Sequence, residues 1–282
     1  MQRISFLSGI SEVLKKIFFS CPRIIFINFY RLLLRREIFF SKRIPKDRHA
    51  ILAINYVTCA DPVIVLASLK KRIIFLADSR CFETRFTNFF FRKLANSIPV
   101  FKKQFAKNIK TFKELFKIFS HSKSKKRNIF LGIFPEGRLN KSTNLDEFFK
   151  GTAYLSYKMK LPIIPVYITN IFKGPEEKDW ISKHPILDGL ITIFCNLFKK
   201  IHVFIGEPVN PVAENIFRDL KNFTDKERYK IIINNLNISL KKEFSKLERD
   251  ARQVISMLSR EDSASAETFS AGEEEEEDEA FL

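Results

Sequence analysis

The residues best suited to chemistry sit just behind two apolar runs. In one, Ile-Phe-Leu-Gly-Ile-Phe over 129–134 gives way to Pro135-Glu136-Gly137-Arg138, and a polar stretch then leads to Lys150-Gly151 and the apolar LPIIPVYI. An apolar run ending in Pro-Glu-Gly-Arg reads as a buried strand that delivers a charged, glycine-loosened turn to a sheet edge. Arg138 offers a planar fork of donors that matches a phosphate, and Gly137 lets the backbone approach a ligand closely. A strand-end turn with a solvated arginine fits the tetrapeptide equally well. In the other stretch, the run HAILAI leads directly into Asn55-Tyr56-Val57-Thr58-Cys59-Ala60-Asp61-Pro62.

The elements that must position these residues follow a regular alternation. HAILAIN over 49–55 reads as a strand, 61–71 as a helix opening on Asp and Pro, and RIIFLAD over 72–78 as a second strand. Residues 82–96 read as a basic helix, 97–101 as a short strand, and 106–120 carries the three-to-four spacing of an amphipathic helix. A strand over 128–134, a helix over about 151–160 and the strand in LPIIPVYI continue the series. IHVFIGEPV over 201–209 closes it. Strands alternating with helices predict an α/β fold with a largely parallel sheet flanked by helices, and a groove at the carboxyl ends of the strands.

The flanks differ. Residues 1–44 alternate apolar clusters with Lys and Arg, and the uncharged run between Arg23 and Arg31 is far shorter than the roughly 20 residues a spanning helix needs. Two basic amphipathic helices, broken at Cys21-Pro22, are expected, either lying on a membrane or covering the core. The 45–210 region holds the α/β domain. Around Trp180 the pattern loosens, and ILDGLITIFCNLF reads either as an excursion touching lipid or substrate or as an extra core helix. Residues 211–260 read as charged helix, and 261–282 as a disordered acidic tail.

The net charge of +17 conceals that asymmetry. Ten of the 32 acidic residues and none of the 49 basic ones fall in 261–282, so the rest of the chain carries 22 acidic residues against 49 basic. A body that basic seeks polyanions. Nucleic acid rests on charge alone, because no reading motif accompanies it; an anionic membrane face is the expected partner. Four cysteines without a CxxC pair, and no cleavable signal pattern, predict neither disulfides nor zinc and a cytosol-facing location.

Taken together, Asn55 to Pro62, Phe134-Pro135-Glu136-Gly137-Arg138 and LPIIPV resemble the PlsC-type glycerophospholipid acyltransferases, the 1-acylglycerol-3-phosphate acyltransferase family, over about residues 45–210. There the first block reads Asn-His, four residues, then Asp, and the second reads Phe-Pro-Glu-Gly, usually with Thr before Arg. The resemblance implies transfer of a fatty acyl group from acyl-CoA or acyl carrier protein to a lysophospholipid acceptor, on the cytoplasmic face of a membrane, by a peripheral or monotopic protein that needs no metal or further cofactor. It places Tyr56 where the family has its catalytic histidine, with Asp61 as that residue's orienting partner and Glu136, Gly137 and Arg138 at the acceptor's phosphate.

Three departures stand out. An ordinary tyrosine, with a pKa of about 10, is ionised at about one part in 10³ at neutral pH, and general-base catalysis is worth about 10² to 10⁴ in rate. A catalytically impaired protein of the same fold is therefore the alternative reading. The missing Thr before Arg138 resembles the Phe-Pro-Glu-Gly-Arg variant of family members that act on lysophosphatidylethanolamine. Between 78 and 103 only Ile98-Pro99-Val100, Lys102 and Lys103 match the family's further acceptor block. As replacements for the histidine, His49, His121 and His202 are expected at the opposite sheet edge, and only His184 could fold back. Cys59, with no neighbouring base or cation, reads as a small packing residue.

Overall fold

Alternating burial on two faces of one sheet organises the chain. The computed structural model describes residues 23–58, 60–101, 104–124, 127–137, 148–172, 185–211 and 224–279. Its strands are β1 (Arg36–Phe39), β2 (Ala50–Ile54), β3 (Ile73–Asp78), β4 (Ser97–Val100), β5 (Phe130–Ile133), β6 (Ile163–Thr169) and β7 (Ile201–Ile205), in the spatial order β1-β7-β6-β2-β5-β3-β4. From β6 to β4 every neighbouring pair is parallel. β7 runs antiparallel to β6, and β1 runs parallel to β7.

The helices are α1 (23–33), α2 (Asp61–Leu69), α3 (Arg85–Phe89, continuing into a π-helical turn at Phe90–Leu94), α4 (Phe105–Ser124), α5 (Gly151–Met159), α6 (Pro185–Cys195) and α7 (Asp225–Glu279). β2, buried at every position, shows why there are three layers. Ala50, Leu52 and Ile54 pack with Ile27 and Tyr30 of α1, Val63, Ile64 and Ala67 of α2, and Ile193 of α6. Ile51 and Ala53 face Leu115 and Phe119 of α4, Ala153 and Leu155 of α5, and Leu240 and Phe244 of α7. The two-residue period of a strand sends successive side chains to opposite layers, and both layers are apolar, as a central parallel strand requires.

Two expectations are revised. The second of the expected N-terminal helices ends at Leu33, and beyond it the helical reading gives way to β1, because the outer edge of β7 would otherwise present unpaired backbone groups. Arg36 to Phe39 fill that edge, and the Phe39 ring stacks on Phe204 at 4.5 Å between centroids. Residues 261–279, expected to be disordered, continue the backbone of α7. Extending a helix already nucleated at 225–260 adds one hydrogen bond per residue fixed, and Glu is a good helix former. Of the two readings of ILDGLITIFCNLF, the structure shows the helix, Pro185–Cys195, which covers the core through Thr192 and Ile193 and is exposed at Leu190 and Phe194. The first of the two amphipathic helices expected in 1–44 falls on residues 1–22, outside the described residues.

Candidate functional site

The carboxyl end of β2 is tied down on both sides. The Asn55 amide accepts a hydrogen bond from Ile168 N at 2.7 Å and donates one to Ile168 O at 2.9 Å, which extends the pairing with β6 by one rung. The loop beyond is held by Asp61. Its Oδ2 accepts from Val57 N at 2.7 Å and Thr58 N at 3.0 Å, and its Oδ1 accepts from the Thr58 hydroxyl at 2.6 Å. Asp61 is fully buried, which pushes its carboxyl up from 3.8 to about 6 even though the bonds from Thr58 and Val57 pull the other way. At neutral pH it is therefore mostly a buried anion held by three donors.

Tyr56 stands between this loop and the neighbouring strand β5. Its backbone N donates to Glu136 Oε1 at 3.3 Å, and its ring lies 4.5 Å from that of Phe134. Glu136 is fully buried. Gly137 has φ of +61°, a left-handed conformation that favours glycine, and a Cβ there would meet the Phe149 ring at 2.9 Å. The turn closes through Gly137 N to Phe134 O and Phe149 N to Pro135 O. Tyr56, Glu136 and Gly137 are thus brought together as the sequence predicts. Arg138 and Cys59 lie outside the described residues, as do Lys102, Lys103 and His184.

A cavity of about 270 Å³ opens at this edge, lined by Tyr56, Phe75, Phe91, Phe112, Phe134, Gly137 and Phe149, with Asp78, Cys81 and Thr152 as polar members. Sequence reasoning missed Thr152. It is buried, its hydroxyl has no hydrogen-bond partner among the described residues, and it sits in the first turn of α5. First-turn amides have no intrahelical acceptor and the helix dipole adds partial positive charge there. The arrangement can therefore hold an apolar chain with its polar end near a source of positive charge. Lys150-Gly151 was the only signal in the sequence for this helix start.

The histidines fall differently from expectation in one case. His49 immediately precedes β2 and accepts a hydrogen bond from Ile129 N at its Nδ1, away from Tyr56, and His121 lies on α4. His202, expected at the opposite edge, is at the carboxyl edge, because β7 runs antiparallel and pairs His202 with Thr169. It faces Glu37, 3.7 Å away, and the Phe39 ring, and does not line the cavity.

An Asn-to-Asp loop and a Phe-Pro-Glu-Gly turn on adjacent parallel strands, over an apolar cavity, define an acyltransferase-type α/β domain. Comparison with known proteins agrees: residues 35–169 match the Acyltransferase family model. Over 158 residues the chain is 25% identical to the 1-acyl-sn-glycerol-3-phosphate acyltransferase of Borreliella burgdorferi, covering 53% of this chain and spanning 60% of that relative's length. The crystal structure of the 1-acyl-sn-glycerophosphate acyltransferase PlsC from Thermotoga maritima shares 19% identity with a TM-score of 0.43, covering 77% of this chain and 78% of that one.

Proposed function

We propose that the protein is a membrane-associated acyltransferase that moves a fatty acyl group from acyl-CoA or acyl carrier protein to the hydroxyl of a lysophospholipid such as 1-acylglycerol-3-phosphate. The observation that carries this reading is the apolar cavity running from Tyr56 past the Phe-Pro-Glu-Gly turn. Each methylene of an acyl chain that leaves water for such a site contributes about 0.8 kcal/mol. In the transfer, the acceptor oxygen bonds to the acyl carbonyl carbon, the thioester carbon–sulfur bond breaks, and the hydroxyl proton ends on the departing thiolate. Tyr56 occupies the point where that proton leaves. Asp61 holds the loop that aims it, Glu136 and Gly137 shape the turn, and Arg138 forks the acceptor's phosphate.

Attachment in this reading is peripheral or monotopic, on a cytosol-facing surface. Among the described residues no helix is long and apolar enough to cross a membrane. α1 instead exposes Ile25, Phe29 and Leu32 along one stripe, while α6, joined to it by the Tyr30 hydroxyl on Ile193 O at 3.0 Å, exposes Leu190 and Phe194. Such a face suits the acyl boundary of an interface.

A second reading, binding without turnover, is favoured by a specific observation. A phenol replaces the base, and among the described residues every hydrogen bond to the Asp61 carboxylate comes from Val57 and Thr58. The test is acyl transfer by the purified protein beside Tyr56→His and Tyr56→Phe. Under the enzyme reading wild type turns over, Tyr56→Phe abolishes it, and Tyr56→His raises it by about 10² or more. Absence of wild-type transfer, with activity appearing only in Tyr56→His, would establish the second reading.

A further inference from the structure

A second recess of about 290 Å³ lies at the other end of the sheet. It is bounded by the inner flank of α1, through Arg23, Asn28 and Arg31, and by Lys71, Arg72 and Ile73 where the chain enters β3. The recess takes Ile73 and Ile74 from the start of β3 and the groove takes Phe75 to Asp78 from the rest of it, so the two share no lining residue.

The charges of this recess are unbalanced. Four of its lining side chains are cationic, and among the described residues that line it none is acidic. Arg31 is spoken for: its guanidinium donates to Leu66 O and Ala67 O at the carboxyl end of α2 and to Asn28. Arg23 donates to Asn96 Oδ1 at 2.7 Å. The Arg72 carbonyl accepts from Phe130 N at 2.8 Å, but its guanidinium makes neither a hydrogen bond nor an ion pair with another described residue. Burial and the nearby charge of Arg72 both pull the Arg23 guanidinium below its ordinary value, a like-charge approach that an anion between the two would relieve. Two guanidinium forks and an ammonium, Lys71 Nζ, make a donor set of the kind that grips phosphate oxygens.

We propose that this recess binds the phosphate of a membrane phospholipid headgroup, at a site separate from the acyl groove. The lipid source follows from α1 itself. The helix whose flank walls the recess exposes Ile25, Phe29 and Leu32 on its outer side. A helix lying in the interface sinks that stripe into the acyl boundary and carries its flanks at headgroup level, where Arg23 and the mouth of the recess meet lipid phosphates. The inference rests on the membrane attachment proposed above and is independent of whether the groove turns over.

The test is flotation of the full chain with phosphatidylcholine vesicles with and without phosphatidylglycerol. The double variant Lys71→Glu/Arg72→Glu is compared with Lys241→Glu/Lys242→Glu, which makes the same change of charge at exposed positions of α7. The recess variant should partition into phosphatidylglycerol vesicles about tenfold less than the α7 variant, and the milder Arg72→Gln about fivefold less than wild type. Melting temperatures identify any variant that misfolds, and Arg72→Gln then decides. Equal losses in the two double variants, with no loss in Arg72→Gln, overturn the inference and leave membrane attachment intact. Inorganic phosphate is the competing source: if it raises the melting temperature of wild type but not of Arg72→Gln, while vesicle binding is unchanged by the substitution, the site takes free phosphate and the lipid assignment falls. Failure of wild type to float at all removes the membrane reading first.

Discussion

Asp61 is the residue whose chemistry is most tightly determined. Its carboxyl titrates near 6 in the folded protein against an ordinary value of 3.8, chiefly because burial disfavours the charged form. The folded state therefore binds its proton more tightly than the unfolded chain does. Its stabilising contribution is complete below about pH 4 and is lost as pH rises through 6, for a total of about 3 kcal/mol. Asp61→Asn does not ionise, and its amide can still accept from the two backbone donors while donating to the Thr58 hydroxyl. Urea unfolding of both proteins across pH 4 to 7 should show wild type losing about 3 kcal/mol relative to the variant and then levelling; parallel curves would mean that the buried carboxyl does not titrate in this range. The position of Asp61 beside a strand-end loop was legible in the sequence, since Asp followed by Pro marks a helix start. Its partners were not, because residue types do not say that three donors from Val57 and Thr58 would converge on one carboxylate. Tyr56 is the converse case: its place after a strand was legible in the sequence, and only the fold puts its ring on Phe134.

Among the elements, β5 carries a constraint that its sequence hides. Gly132 pairs with Phe75 of β3, whose ring lies across the neighbouring strand so closely that a Cβ at 132 would sit 2.4 Å from two ring carbons. That ring stacks on Phe134 at 5.9 Å, and Phe134 in turn faces Tyr56. Gly132→Ala should therefore destabilise the protein by about 1–3 kcal/mol through overpacking, and should also press Phe75 into the apolar cavity that it lines. Chemical unfolding measures the first effect and binding of a fluorescent fatty acid the second; Phe75→Leu in the same chain should recover part of both. Unchanged fatty-acid binding in Gly132→Ala would separate the glycine from the cavity. The parallel strands themselves were readable, because β2, β3, β5 and β6 are uninterrupted apolar runs with turn residues at their ends. β1 was not. Arg-Glu-Ile-Phe is strand only because β7 offers it an open edge, and that pairing spans more than 160 positions of sequence.

For the whole molecule, the question is how the acidic end acts on a basic body. Counted as sequence, 261–282 offsets ten of the positive charges, and internal screening is a natural expectation. The course of α7 argues otherwise. Its buried side chains run from Ile232 to Ala251, against the sheet, and Met257 is already exposed. The backbone continues as helix to Glu279. At 1.5 Å per residue the acidic segment then extends roughly 28 Å beyond Arg260, several times the screening length of about 8 Å at physiological ionic strength. Charges held at that distance add little to the potential at α1 or at the recess beneath it. Truncation after Arg260 should accordingly leave the melting temperature unchanged and alter binding to phosphatidylglycerol vesicles by less than about threefold at physiological salt, with the difference growing as salt is lowered. A gain of tenfold or more at physiological salt would mean that the segment folds back over the basic surface, and the helix would then be a tether for an internal competitor of the membrane.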